Sequence, residues 1–347
     1  MVVVACVVNF FTISGFASNS FASDPIRISG SSTVAPYSQV IAEFFSEIYS
    51  NYRTPIIESI GTGGGMKEFC KAEGANTLDV VNASRPMTEK EFKDCQKNGV
   101  TKIKEVMFGY DGIVLATNRK DVAWHFTPSD IYKALAAKVL INGKLVANPY
   151  KTWNEVNPKF PNWQITVYIP GEKHGTREVF EQKLLEVGCK ELGVAEYLKK
   201  NRQDNLIKST CTAVRKDGRS IDIDGDYSET LARLNANKHG VGVFGLFYYE
   251  NNADRLRVAS VNGIIPTVEN IAKGIYPVSR PLYFYVKANH LDSVVGLKEY
   301  VNLFLLDQSI GDEGSLVLDY GLVPAPRSER EKQRKDFNSD SFFRIKE

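Results

Sequence analysis

Histidine is scarce in this chain, with four residues in 347. A metal-dependent hydrolase gathers several His and Asp ligands, and His125, His174, His239 and His290 are scattered. No CxxC pair occurs, which removes the common zinc and thioredoxin-like motifs. No GxSxG turn follows an apolar run, which argues against a serine hydrolase. Net charge is only +2 and no strongly basic domain stands out, so a nucleic-acid partner is not expected. Past the N-terminus there is no run of about 18 consecutive apolar residues, the length a membrane-spanning helix needs. What remains is a chain with 43% apolar and 24% charged residues, ordinary for a soluble protein and long enough for two cores.

Charge is also missing from residues 1–22, an apolar stretch ending in small residues. Both Gly15-Phe16-Ala17 and Ser20-Phe21-Ala22 fit a small-x-small cleavage site. A secretory signal peptide over 1–22 is therefore expected, and with it a periplasmic location. Removing Cys6 leaves Cys70, Cys95, Cys189 and Cys211. An even count outside the cytosol suggests disulfides. Three pairings are open to four cysteines. The sequence-local one, Cys70–Cys95 with Cys189–Cys211, is favoured because it closes two medium loops.

Strand-like and helix-like segments alternate from Ile26 onward, which predicts an α/β fold with a parallel, doubly wound sheet. Three successive predicted strands end in GSST, GTGGG and NASR. Ligands of such sheets sit at the carboxyl ends of strands. A fourth strand runs into YIPGEKHGTREVF, a strand, turn and helix start of the kind that turns backbone N–H groups toward an anion. A tetrahedral oxyanion wants short donors converging from several directions. The candidates are Ser31, Ser32 and Thr33; Thr62 and Gly63; Ser84 and Arg85; and Gly175, Thr176 and Arg177. Each has a plainer reading: the first three as helix caps, the glycines as a flexible turn, Arg85 and Arg177 as surface ion pairs, His174 as a turn residue. Their recurrence at strand ends favours one polar, backbone-lined cleft.

GSSTVAP, GTGGGMKEFC, NASRPMTEKEF, GYDGIVLATN, HGTREVF, GVGVFG, PTVENIAKGIYPVSRPLYFYVK and GLVPAP occur in that order. Together they resemble the periplasmic phosphate-binding protein family, the substrate-binding component of the high-affinity phosphate ABC importer. The resemblance spans about residues 26–326. It implies a two-lobe periplasmic-binding-protein architecture of type II, with two hinge crossovers closing over one dehydrated phosphate. It implies inorganic phosphate and the importer's membrane subunits as partners, a monomer, no cofactor and no enzymatic activity. By the same resemblance the Ser31–Thr33 turn, Thr62 and Gly63, Ser84 and Arg85, and Gly175, Thr176 and Arg177 carry the ligand.

The layout expected is a first lobe over 26–116 and 276–326, a second over 117–275, and hinges near 116–120 and 270–280. A charged, flexible tail is expected over 327–347. Several positions depart from the family's pattern. His174 stands where a serine is common, and would strengthen anion binding when protonated. Pro170-Gly171 replaces an arginine. Arg85 stands where some members have an aspartate that accepts the proton of phosphate; Glu172 or Asp111 could take that part. DIDGDYSE, residues 222–229, matches its counterpart poorly. Binding of another oxyanion, sulfate or molybdate, or a degenerate member with a structural or signalling role, are the alternatives.

Overall fold

The computed structural model describes residues 24–172, 175–312 and 314–345. The expected signal peptide lies outside these residues, as does His174. Ten strands form the main sheet. In chain order they are β1 (Arg27–Gly30), β2 (Ile56–Ser59), β3 (Val80–Ala83), β4 (Ile103–Asn118), β5 (Val167–Pro170), β6 (Ser220–Ile223), β7 (Val241–Gly245), β8 (Leu256–Val258), β9 (Ser279–Lys287) and β10 (Val323–Pro324). The spatial order is β2-β1-β3-β9-β4-β7-β5-β6, with β8 and β10 also on β4.

The sheet is mixed, not the all-parallel sheet expected. β1 pairs in parallel with β2 and β3, and β5 does so with β7 and β6. Between these two parallel blocks stand β4 and β9, antiparallel to each other and to the strands beside them. The reason is topological. The chain crosses to the second block in β4 and returns in β9, so the two run in opposite directions.

The buried apolar residues form separate clusters. One gathers residues from Ile113 to Val278, with Val323. The others draw on Ile26 to Phe108 and Leu282 to Phe337. The division falls inside β4, between Phe108 and Ile113, and at the start of β9. The hinge expected near 116–120 falls past this division. Residues 116–118 already pair with β7 and β8 in the second block. A strand buried almost throughout its sixteen residues passes between two cores without a break in its pattern, so no linker marks the place.

Helices cover both blocks. α1 (Ala35–Ile48) follows β1 and buries Tyr37, Ile41 and Phe45. α2 (Thr62–Phe69) follows β2. It packs so close to β1 that a Cβ on Gly65 would lie 2.5 Å from the Gly30 Cα. α3 (Glu89–Lys97) opens with a capping box between Thr88 and Glu91. α4 (Gly175–Phe180) runs into a π-helical turn, Glu181–Leu185. α5 (Tyr227–Ala236) is capped by Asp226. The pairings Cys70–Cys95 and Cys189–Cys211 both form, the first joining the end of α2 to α3.

The tail is not the flexible extension expected. Residues Arg327–Phe337 form α6, with Arg330 2% and Phe337 3% exposed. Arg330 donates to Asp307, to both carboxylate oxygens of Asp312 and to the Ala325 carbonyl. Beyond it, Phe343 packs edge-on against Phe92 and Tyr285. Four-residue ion pairs such as Arg327–Glu331 and Lys332–Asp336 cover the outer face and hide the docked one from a reading by composition. No helix among the described residues is long and apolar enough to cross a membrane.

Candidate functional site

Parallel pairing of β1, β2 and β3 brings their carboxyl ends to one edge. Ser31 sits there, its N–H bonded to the Asn82 carbonyl at 2.9 Å. Its hydroxyl accepts the Thr33 N–H, and its carbonyl takes the Val34 and Ala35 N–H groups. The N-cap of α1 is Val34, with no side-chain cap. The Ser32 and Thr33 hydroxyls are thus not spent as its N-cap. Thr33 Oγ1 instead accepts from Arg280 Nη2 at 2.8 Å.

Thr62 and Ser84 meet, hydroxyl to hydroxyl at 3.2 Å, and the Ser84 N–H also donates to Thr62. Gly63 faces a groove shared with Thr88 and Glu91, between α2 and α3. Gly65 is needed for helix–strand packing and not for approach to a ligand. Arg85 donates through both terminal nitrogens to Glu91, at 2.7 and 2.8 Å. The Glu91 hydrogen bond is the main reason its pKa is raised.

On the second lobe Thr176 sits in the first turn of α4. Its neighbour Arg177 turns inward, 5% exposed, and donates to Glu181, Asp222 and the Pro170 carbonyl. DIDGDYSE therefore supplies a counter-ion to Arg177, a cap to α5 and the ring of Tyr227. Glu172 is exposed.

Ser32 and Thr33 from one side and Thr176 and Tyr227 from the other line a single cavity of about 230 Å³, with Tyr37 and Asp111 in its wall. A second cavity, about 300 Å³, shares Tyr37, Asp111, Thr176 and Tyr227 and reaches Asn251. Thr62, Ser84, Arg85 and Arg177 line neither. The Tyr227 hydroxyl hydrogen-bonds Thr176 and the Gly245 backbone. Burial pushes its pKa up to about 12, so it stays a donor at neutral pH.

Asp111 and Arg280 are register partners in β4 and β9, each about 4% exposed. Arg280 Nε lies 3.7 Å from Asp111 Oδ2, too long for a hydrogen bond, and among the described residues neither atom has another hydrogen-bond partner. Burial raises the Asp111 pKa, opposed by the Arg280 charge and aided by that of Glu178. Arg280, Tyr227 and Tyr37 were not among the candidates drawn from the sequence. A lone arginine inside the apolar run IYPVSRPLYFYV was the one signal for the first, since a charge in such a strand must be paired or used.

Residues 17–308 match the profile of the PBP superfamily domain. The chain is 30% identical to the phosphate-binding protein PstS of Staphylococcus epidermidis over 313 residues, 88% of this chain and 81% of that protein. It is 29% identical to protein SphX of Synechococcus elongatus, over 87% of this chain and 77% of that one. Its fold is like that of a possible phosphate binding protein from Planctomyces limnophilus, at a TM-score of 0.69 and 24% identity, covering 90% of this chain and 97% of that one. It is also like that of an ABC-type phosphate transport receptor from Vibrio cholerae, at a TM-score of 0.58 and 20% identity, over 86% of this chain and 98% of that one. With strand ends from two lobes meeting at one polar cavity, these likenesses place the chain: it belongs to the PBP superfamily, among the phosphate-binding proteins of the PstS kind.

Proposed function

We propose that this chain captures inorganic phosphate outside the cytoplasm and delivers it to the membrane subunits of an ABC importer. The observation that carries the reading is the shared cavity. Ser32 and Thr33 at the start of α1, and Thr176 and Tyr227 across from them, bring hydroxyl donors from both lobes to the buried Asp111. Thr62, Ser84 and Arg85, on the adjacent strand ends, are the next donors an anion would meet as the lobes close.

Asp111 favours phosphate over sulfate. A buried carboxylate accepts a proton from hydrogen phosphate, while sulfate has none to offer at neutral pH and meets only repulsion. Two disulfides suit an oxidising compartment and support a location outside the cytoplasm. The lobes follow the two cores, 26–112 with 279–345 and 113–278, and bending in β4 and β9 would open and close the cleft. The role is binding without turnover, by a monomer.

Isothermal titration of the mature chain with phosphate and with sulfate tests this. Saturable heat with phosphate and none with sulfate is expected. Heat with sulfate alone transfers the reading to another oxyanion, and no heat with either ends it.

A further inference from the structure

Arg280 is shared between the lobes. Nη2 donates to Thr33 Oγ1 at 2.8 Å on the first and to Glu178 Oε2 at 3.4 Å on the second. Nη1 donates to Gln182 Oε1 at 3.2 Å, and Gln182 in turn donates to Glu178 Oε1 at 3.0 Å. Glu178 and Gln182 lie on successive turns, two and six residues past Thr176, so the helix that presents Thr176 to the cavity also presents this carboxylate to the guanidinium.

The partners differ in how firmly they are held. The Arg280 side chain is 4% exposed and held near the start of β9 by its pairing with β4, while that of Glu178 is 39% exposed. Its contact with Arg280 is long for a charged pair, whose bonds usually close to about 2.8 Å. The Glu178 charge raises the Asp111 pKa, after burial. It also acts on Arg85, behind the stronger influence of Glu91. One carboxylate thus lies within electrostatic reach of both arginines and of Asp111. Arg85 is already paired with Glu91, so an oxyanion entering beside Thr33 and Thr176 meets Asp111 and Glu178 against the single cation Arg280, an arrangement that repels it unless one carboxylate withdraws.

We propose that Arg280 is a ligand of the bound oxyanion and that Glu178 is its internal competitor, a carboxylate that holds the guanidinium until the incoming anion takes its place. The inference rests on the oxyanion reading above and adds to it the cation that the sequence candidates Arg85 and Arg177, both committed to carboxylates, do not supply. Arg280 can exchange one oxygen ligand for another without moving, because Thr33 and the β4–β9 ladder hold it. Glu178 has solvent to retreat into.

The test is calorimetric titration of phosphate into wild type, Glu178→Gln, Arg280→Gln and the double variant. Thermal unfolding without phosphate confirms that each is folded. Glu178→Gln keeps the size and can still bond Gln182 but removes the charge. It is expected to bind phosphate about tenfold more tightly, the scale of one charge contact. Arg280→Gln is expected to bind at least about tenfold more weakly, and Glu178→Gln to gain little in that background, which is the mark of a shared contact. Equal or weaker binding by Glu178→Gln overturns the competitor, and unchanged binding by Arg280→Gln overturns the ligand. If Arg280→Gln does not fold, Arg280→Lys replaces it; that change should also weaken binding by loss of the planar fork. Wild type that binds phosphate, with no gain in Glu178→Gln, overturns this inference alone. No phosphate binding by either overturns the phosphate reading as well, and binding by Glu178→Gln only supports the competitor.

Discussion

Thr176 and Arg177 are adjacent and point to different places. The threonine lines the cavity between the lobes, while the arginine is buried against Glu181 and Asp222. Thr176→Val keeps the shape, removes the hydroxyl and leaves Tyr227 without that hydrogen bond. Phosphate affinity should fall by about 1–3 kcal/mol in calorimetry, with little change in unfolding temperature. Asp111 carries a pH signature. Burial raises its pKa, so the folded protein keeps this proton to higher pH than the unfolded chain. The unfolded state binds fewer protons through that window, and stability falls as pH rises from the ordinary Asp value to the raised one. Asp111→Asn abolishes this contribution. The unfolding temperature of Asp111→Asn minus that of wild type, measured without phosphate, should therefore grow as pH rises past the ordinary Asp value; a difference that stays flat contradicts the buried charge.

Among the elements, those with strong local signals were legible. Thr88 with Glu91 is such a signal, a capping box within four residues, and α3 begins there. Pro36, suited to a helix's first turn, stands in the first turn of α1. The strand ends at Gly30, Ile60 and Ala83 were placed together by their turns alone. Longer-range pairing was not legible. Among the described residues from 314 to 320, only Leu318–Tyr320 coils, as a 3₁₀ turn. Arg280 and Asp111 are 169 positions apart, and only the β4–β9 register joins them. Which arginine is committed to a carboxylate depends on where each carboxylate lies, and no local pattern carries that. Close packing of α2 on β1 was equally hidden, since GTGGG reads as a ligand turn. Gly65→Ala would push a methyl group into the Gly30 backbone and Val81. It should cost about 1–3 kcal/mol in urea unfolding, the usual range for overpacking.

At the scale of the molecule, the chain's last described residues are part of the first lobe. Lys104 donates to the carbonyls of Ser339 and Ser341, and Gln333 accepts the Met107 N–H on β4. Deleting residues 327–347 would uncover the seats of Phe337 and Phe343 and leave Asp307 and Asp312 without Arg330. A lower unfolding temperature and a broader transition are expected by calorimetry, where an unstructured extension would leave both unchanged. The docked tail has another consequence. Among the described residues, β1 and α6 belong to the same core, so residues 113–278 form a cassette joined to it at two places in the backbone, in β4 and at β9. Exchanging residues 113–278 for the corresponding stretch of a relative would need two junctions, one inside β4 and one at the start of β9, and would transplant Thr176, Glu178 and Tyr227 together while leaving Ser32, Thr33 and Arg280 at home.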